Sequence, residues 1–283
     1  MGIFFSLSDI LIHPFFHSYN QSFIYFTLSN MNSKKVSELL LVVYAMGYSS
    51  MIAFIAVQFL YRYWIMTNNR KAKLFEGWKI VLSVIYSLGC GFIYASSIYI
   101  LGPVDESMKS YLREEMLKNY NASIDDISGF AVIGYLTENN SKTLLHGKIC
   151  VATLLGIMST QYTIMIYSGL QMHIKLKTQV DSLSISDKTL QRQLLKALII
   201  QIASPSLFCC IPIIPILIGP FIFTNLSFPS GIFVSPFTIF PSLDSIILMI
   251  VVTEYRECLK NIWNMNFYST YAPSISARNA LSK

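Results

Sequence analysis

Charged residues are scarce in this chain. Of its 283 residues only 13% are Asp, Glu, Lys or Arg, about half the share of an average soluble domain. Hydrophobic residues make up 53%, and the mean hydropathy is +0.51. These values exclude an ordinary soluble domain and indicate a membrane protein. The net charge of +6 does not indicate nucleic-acid binding, because the basic residues form short clusters between apolar runs, as membrane topology requires.

The residue patterns of catalysis and metal binding are also missing. The four histidines are scattered, and the chain has no His-x-x-x-His pair, no paired carboxylates inside an apolar segment and no Gly-rich phosphate loop. The five cysteines show neither metal-ligand spacing nor a clear extracellular pair (Cys90, Cys150, Cys209, Cys210 and Cys258). We therefore expect no enzymatic activity, no metal and no cofactor.

Long apolar runs dominate what is present. A membrane helix needs about 20 apolar residues. Five segments meet this requirement, and a sixth, residues 2–16, is short and contains Asp9, His13 and Pro14. The sequence thus predicts an all-α membrane protein with one domain over residues 1–283, a short surface helix over 105–118 and a disordered tail over 274–283. The six predicted helices cover about 2–16, 39–64, 79–101, 149–170, 197–223 and 232–253.

Two independent signals predict the orientation. Loops 62–79 and 171–196, with the tail after 253, hold 14 of the 21 Lys and Arg residues, which places them in the cytosol by the positive-inside rule. Four N-glycosylation sequons fall in the loops assigned to the other side, at Asn20, Asn121, Asn139 and Asn225. We expect a cytosolic C-terminus and glycans on the outer loops, with Asn121 and Asn139 the best acceptors.

One face of the segment 39–64 carries a regular stripe. Its residues follow one another at spacings of three or four, as neighbours on a helix do: Tyr44, Tyr48, Met51, Ile55, Gln58 and Arg62. Lipid would penalise the polar members, so this face is expected to look into a helix bundle. Tyr44, Tyr48 and Met51 are candidate ligand-pocket residues, and helix phase adds Gln161 and Tyr162. The alternative interpretation is that the tyrosines are interfacial anchors.

Prolines concentrate in the segment 197–223. Pro205, Pro212, Pro215 and Pro220 would kink this helix, either as static bends or as part of a bundle that switches between packings. Gln201 would need a hydrogen-bond partner inside the bundle. In the last segment Asp244 is the only acidic residue deep in a strong span.

Several motifs of this chain resemble those of nematode serpentine chemoreceptors, in particular the Str group and its Srd and Srj relatives. Gln58-Phe-Leu-Tyr-Arg-Tyr-Trp64 resembles the inner signature of that family's third helix, and Phe75-Glu-Gly-Trp-Lys79 its next loop. Pro241-Ser-Leu-Asp244 followed by Tyr255-Arg256 is similar to the last-helix pattern, with Ser245 where the family usually has proline. Asp9 and Pro14-Phe-Phe-His17 look like the second helix and the loop after it.

The resemblance implies a rhodopsin-like, G-protein-coupled receptor that detects a small environmental chemical in sensory neurons. It implies that Tyr61, Arg62, Tyr63 and Arg256 face a heterotrimeric G protein. It also implies that Gln58, Gln201, Pro205, Pro212, Pro241 and Asp244 form the polar, flexible part of the bundle. Because Met1 aligns near the start of the family's second helix, the six predicted helices correspond to the second through seventh.

Two other functions remain open from the sequence. A small-solute transporter or channel would need a polar path, for which only Asp244 and Gln58 are available. A truncated receptor remnant would not signal and would be retained in the endoplasmic reticulum. A complete receptor is expected at the plasma membrane, in sensory cilia.

Overall fold

The fold was analysed in a computed structural model. It describes the following residues: 7–8, 10–29, 33–67, 72–75, 77–134, 141–179, 200, 203, 207, 211, 213–222, 227–230 and 246. In chain order the elements are β1 (Pro14–Tyr19), β2 (Ser22–Thr27), α1 (Lys34–Thr67), α2 (Ile80–Leu101), α3 (Glu106–Tyr120), β3 (Ser128–Ile133), α4 (Ser141–Gln179), α5 (Ile213–Ile222) and β4 (Ser227–Phe228).

Within the described residues, three helices are long and apolar enough to cross a membrane. They are α1, α2 and α4, and α5 is a shorter apolar helix. The predicted segments 39–64, 79–101 and 149–170 each fall on one of these helices. α1 and α4 continue well past their predicted ends because their polar terminal turns stay helical where the apolar signal stops.

A close contact joins α1 to α2 at a glycine, Gly91. A Cβ atom built on Gly91 would lie 2.6 Å from the Met46 carbonyl oxygen and would clash with the Ser50 hydroxyl. Only glycine permits this approach, which is typical of small residues at membrane helix interfaces.

A four-stranded antiparallel sheet covers one end of the helices, in the order β3-β2-β1-β4. We call this the sheet end, and the opposite end, near Thr67 and Ile80, the far end. Successive side chains of a strand point to opposite faces. The inner face packs on the helices through Phe16, Phe23, Tyr25, Phe130 and Val132. The outer face packs under α3 through Phe15, Tyr19, Ile24, Phe26, Ala131 and Ile133.

α3 confirms the predicted surface helix over 105–118. Its buried side presents Met108, Leu112 and Met116, one turn apart. Asp105 caps its first turn by accepting a hydrogen bond from the Met108 amide at 2.9 Å. The same carboxylate accepts a bond from the Thr143 hydroxyl at 2.6 Å, which ties the start of α3 to α4.

The predicted helix over 2–16 is wrong in its last residues, because Pro14, Phe15 and Phe16 belong to β1. The described part of the preceding segment is helical up to Ile12, and His13 has a left-handed φ of 45°. A residue before proline disfavours the right-handed helical region, so the chain turns into the strand at this point. The structure is mostly helical, as predicted, but the sheet was not expected. The predicted helix 232–253, the tail 274–283 and much of 197–223 lie outside the described residues.

Candidate ligand-binding site

A cavity of about 50 Å³ lies directly beneath the inner face of the sheet. The strands form its roof and the helices α1, α2, α4 and α5 its walls. Among the described residues its lining is Phe16, Phe23, Tyr25, Tyr44, Ala45, Tyr48, Tyr94, Ile98, Gly102, Phe130, Val132, Cys150, Leu154, Ile213, Ile216 and Leu217. The position, between helices and closed by a sheet, is one that small-molecule sites commonly use.

Two aromatic rings from the hairpin β1–β2 build the roof. Phe16 and Tyr25 are opposed across the strands and stack with their ring centroids 4.5 Å apart. The Tyr25 hydroxyl donates a hydrogen bond to the Leu41 carbonyl of α1 at 3.0 Å. The roof is therefore fixed to the first wall helix by a buried polar contact.

Tyrosines dominate the wall between α1 and α2. Tyr44, Tyr48 and Tyr94 are all nearly fully buried, and the rings of Tyr48 and Tyr94 meet edge to face with centroids 6.2 Å apart. Such an arrangement matches the quadrupoles of the two rings and fixes their relative orientation. The wall presents flat, rigid aromatic surfaces to the cavity.

The cavity lining carries no charged side chain among the described residues. Its polar groups are phenol hydroxyls and the Cys150 thiol, which lies 3.7 Å from the Ser97 carbonyl oxygen. An ion placed here would lose its hydration without meeting a counter-charge, which costs several kcal/mol. The arrangement is suited to a compact, neutral and largely apolar molecule. No group of three or more His, Cys, Asp or Glu side chains in the described part of the chain is placed to hold a metal ion.

The structure separates the five residues predicted for the pocket. Tyr44 and Tyr48 line the cavity, whereas Met51 is buried in the adjoining core and Tyr162 packs against that core. Gln161 lies between α2 and α4, where its Nε2 donates to the Tyr86 hydroxyl at 2.9 Å and to Cys90 Sγ at 3.5 Å. In these contacts Gln161 joins two helices instead of facing the cavity.

At the far end, two of the predicted G-protein-facing residues, Tyr61 and Tyr63, make aromatic contacts. Phe75, in a short 3₁₀ turn, contacts Tyr61 and Trp64 with centroid distances of 5.1 and 5.4 Å. Tyr63 meets Tyr167 of α4 edge to face at 6.0 Å.

The stripe predicted on the segment 39–64 is buried over only part of its length. Gln58 is exposed, while Tyr44, Tyr48 and Met51 of the same stripe are buried and Arg62 is half-buried. A helix face is buried only where neighbours cover it, and Gln58 is the least covered member of this stripe.

The remaining predicted residues divide into two groups. Asn20 lies in the β1–β2 turn, and Asn121 is exposed in the left-handed C-cap of α3, so both sequons are at the sheet end. The other predicted residues lie outside the described part of the chain: Gln201, Pro205, Pro212, Pro241, Asp244, Arg256, Asn139 and Asn225.

A buried polar network lies on the outer face of the sheet, above the cavity roof. Glu115 of α3 accepts hydrogen bonds from Asn119 Nδ2 at 2.6 Å, from the Ser227 hydroxyl and from His17 Nε2 at 3.2 Å. Burial opposes ionisation of Glu115, but its hydrogen bonds with Ser227, His17 and Asn119 outweigh burial and lower its pKa. Burial lowers the pKa of His17 despite the neighbouring carboxylate.

Sequence reasoning missed the roof of the cavity and this network. A signal was present: residues 14–27 are rich in Phe and Tyr, which favour strands, on both sides of Asn20, a residue that accepts the positive φ of a tight turn. The segment following an apolar run was interpreted as the end of a helix and a loop. No local signal predicts that Glu115 meets His17, which is 98 residues away.

Comparison with known proteins identifies the family. The family model of the serpentine type 7TM GPCR chemoreceptor Str matches residues 1–260. The G-protein coupled receptor str-33 of Caenorhabditis elegans is 37% identical, over 93% of this chain and 78% of that protein. Serpentine receptor class r-10 of the same species is 26% identical over 92% of this chain and 77% of its own length.

A further relative is serpentine receptor class J-38 of Caenorhabditis elegans, 24% identical over 82% of this chain and 70% of that protein. No solved structure matches the chain. The resemblance inferred from the motifs is thus confirmed. Its relatives are named as receptors and not as enzymes. This chain is therefore a membrane protein of the G-protein-coupled, chemosensory type. It belongs to the Str family of serpentine seven-transmembrane chemoreceptors.

Proposed function

We propose that this receptor binds a small, neutral, largely apolar environmental chemical in the cavity beneath the sheet and signals to a heterotrimeric G protein at the far end. The observation that carries the proposal is the cavity itself. Its described lining is aromatic and aliphatic and uncharged, and almost none of the surface that it presents is polar. Aromatic and aliphatic walls of this kind supply contact area to an apolar ligand.

The sheet end faces the outside in this proposal. The sequons at Asn20 and Asn121 are at the sheet end, whereas the basic residues Arg62, Lys73 and Lys79 cluster at the far end. The two sequons support this orientation, whereas the described basic residues as a whole are divided between the two ends. A ligand arriving from outside then reaches the cavity through the roof. In line with the family resemblance, the proposal includes olfactory-type reception at the plasma membrane of sensory cilia.

Ligand binding shifts the population of two bundle packings. α5 contributes Ile213, Ile216 and Leu217 to the cavity wall and has Pro220 within its last turn, so a ligand touches a helix already weakened by proline. The shift reaches the G protein through Tyr61, Arg62 and Tyr63 at the far end, where Tyr61 contacts Phe75 and Tyr63 contacts Tyr167. The resemblance extends this surface to Arg256 and assigns the switch to Pro241 and Asp244.

A cavity-filling variant tests the proposal. Cells expressing the receptor with a G-protein reporter are exposed to a panel of neutral volatile ketones, alcohols and esters, together with charged analogues of the same carbon skeletons. We expect responses to neutral compounds alone. Ala45→Phe, which fills the cavity, should abolish the response without reducing surface delivery.

The matched control is Val43→Phe, on the same helix but at an exposed position. It should leave the response intact. Equal responses to charged analogues, or a full response from Ala45→Phe, would contradict the proposed site. Solute flux that needs no agonist would favour a transporter.

A further inference from the structure

One buried carboxylate connects three separate segments at the sheet end. Glu115 of α3 bonds His17 of β1 and Ser227 of β4, and the His17 Nδ1 lies 3.2 Å from the Tyr120 hydroxyl. His17 is 1% exposed and Glu115 8%. A buried network of this kind is stabilising only while every member keeps its partner.

This network lies on the strand that also carries the cavity roof. His17 and Phe16 are neighbours on β1 and point to opposite faces, His17 toward α3 and Phe16 into the cavity. β4 pairs with β1 through Ser18 and Tyr19, so the bond from Ser227 to Glu115 reinforces the same strand. Release of His17 from Glu115 therefore loosens the strand that carries the roof.

His17 is held in its neutral form. With Nε2–H donating to Glu115, Nδ1 is left to accept from Tyr120. Burial lowers the pKa of His17 below its ordinary value of 6.5. When the sheet opens and His17 is hydrated, its pKa returns to that value. Opening thus takes up a proton once the pH falls below 6.5, so acid favours the open sheet.

The surrounding groups do not reverse this pH effect, in which acid favours the open sheet. Because the pKa of Glu115 is lowered, its carboxylate stabilises the closed sheet at neutral pH and stops doing so only in stronger acid, so it too favours opening in acid. The other titratable neighbours are Tyr19 of β1 with Glu114, Tyr111 and Tyr120 of α3. The pKa values of Tyr19 and Tyr120 are raised, chiefly by burial, so these phenols stay neutral. β2 places Ile24 opposite His17, and β4 adds only Ser227 and Phe228.

We propose that His17 and Glu115 form a latch that holds the sheet closed over the cavity and that mild acid outside the cell releases it. Protons would then act as a second ligand that lowers the receptor's retention of its odorant. The inference rests on the proposed function only in taking this cavity as the ligand site.

Cys150 provides a native reporter of the latch. Its thiol lines the cavity and is 1% exposed, so reagents reach it when the roof opens. The full-length receptor in lipid nanodiscs is treated with N-ethylmaleimide, and modification of the Cys150 peptide is followed by mass spectrometry. No ligand, G protein or membrane orientation is needed, so failure of the latch is distinguishable from failure of the proposed function.

The decisive comparison is with His17→Gln, which retains a donor for Glu115 and an acceptor for Tyr120 but cannot be protonated. Dividing the wild-type labelling rate by the variant rate at each pH cancels the pH dependence of the thiol itself. We expect this ratio to rise as the pH is lowered from about 7.5 to about 5.5. The rise should be at most about tenfold, the limit for one site with an ordinary pKa near 6.5. His146→Gln, an exposed histidine on α4, should behave as wild type.

A ratio that is constant across this pH range would overturn the latch, and so would loss of the pH effect in His146→Gln. Ser227→Ala provides a second test if His17→Gln does not fold. It removes one bond to Glu115 and leaves His17 in place, so Cys150 should label faster than in the wild type at neutral pH. An unchanged rate would also overturn the proposal.

Discussion

The hydroxyl of Tyr25 donates a hydrogen bond to the carbonyl oxygen of Leu41 at 3.0 Å, and this bond joins the roof of the cavity to its wall. Tyr25 is in the strand β2 and Leu41 is in the second turn of α1. Both residues are almost completely buried. The contact is one of the described links through which the sheet is held on the helices.

Tyr25→Phe should loosen the roof while keeping the ring that stacks on Phe16. The loss of one buried hydrogen bond costs about 0.5–1.5 kcal/mol, which corresponds to about two- to tenfold more frequent opening. We expect Cys150 to react with maleimide faster by that factor. Tyr99→Phe, at an exposed tyrosine of α2, is the control and should leave the rate unchanged. Equal rates for wild type and Tyr25→Phe would show that the bond does not hold the sheet.

Gly91→Ala should destabilise the bundle, and Gly89→Ala should not. A Cβ at Gly91 meets Ser50 and Met46 across the α1–α2 interface, whereas nothing lies within 4 Å of a Cβ at Gly89. Overpacking of this kind costs about 1–3 kcal/mol, and alanine is the better helix former at an uncrowded site. Thermal unfolding of the purified receptor should give a lower Tm for Gly91→Ala only. Similar Tm values for the two variants would contradict the close approach.

Gln161 and Tyr86 should be energetically coupled across α2 and α4. In membranes such interhelical bonds contribute about 0.6 kcal/mol on average. A double-mutant cycle with Gln161→Leu and Tyr86→Phe should therefore show non-additive losses in the free energy of unfolding. Thr160→Val is the control, because its hydroxyl bonds only the Gly156 carbonyl of the same helix, at 2.8 Å. Additive losses would mean that the bond seen between the helices contributes nothing.

Asn121→Gln should remove a glycan and Asn20→Gln should not. Asn121 is exposed at the end of α3, whereas Asn20 is half-buried in a tight turn that joins two paired strands. Both should face the same compartment if the sheet end is external. Electrophoretic mobility before and after glycosidase treatment of the receptor from cells measures the difference. A surface-delivered receptor with no glycan at Asn121 would argue against the proposed orientation.

The membrane class and the long helices could be derived from the sequence because their causes are local. A helix satisfies its backbone hydrogen bonds within one segment, so an apolar run of sufficient length predicts a span without reference to the rest of the chain. The same local period placed Tyr44 and Tyr48 on one face, and both line the cavity. Period alone did not show where that face is covered, and so Gln58 was assigned to the bundle although it is exposed.

The roof and the latch were decided by tertiary structure. β2 and β3 pair residue by residue, from Ser22 with Ile133 to Thr27 with Ser128, and no feature of either segment specifies a partner about a hundred residues away. Strand pairing brings Phe130 beside Tyr25 and closes the cavity, and the packing of α3 on the outer face brings Glu115 to His17. Composition and period determined a helical membrane protein, and motif resemblance indicated the serpentine receptor family. The candidate ligand site exists only because non-local pairing folds a sheet over the ends of the helices.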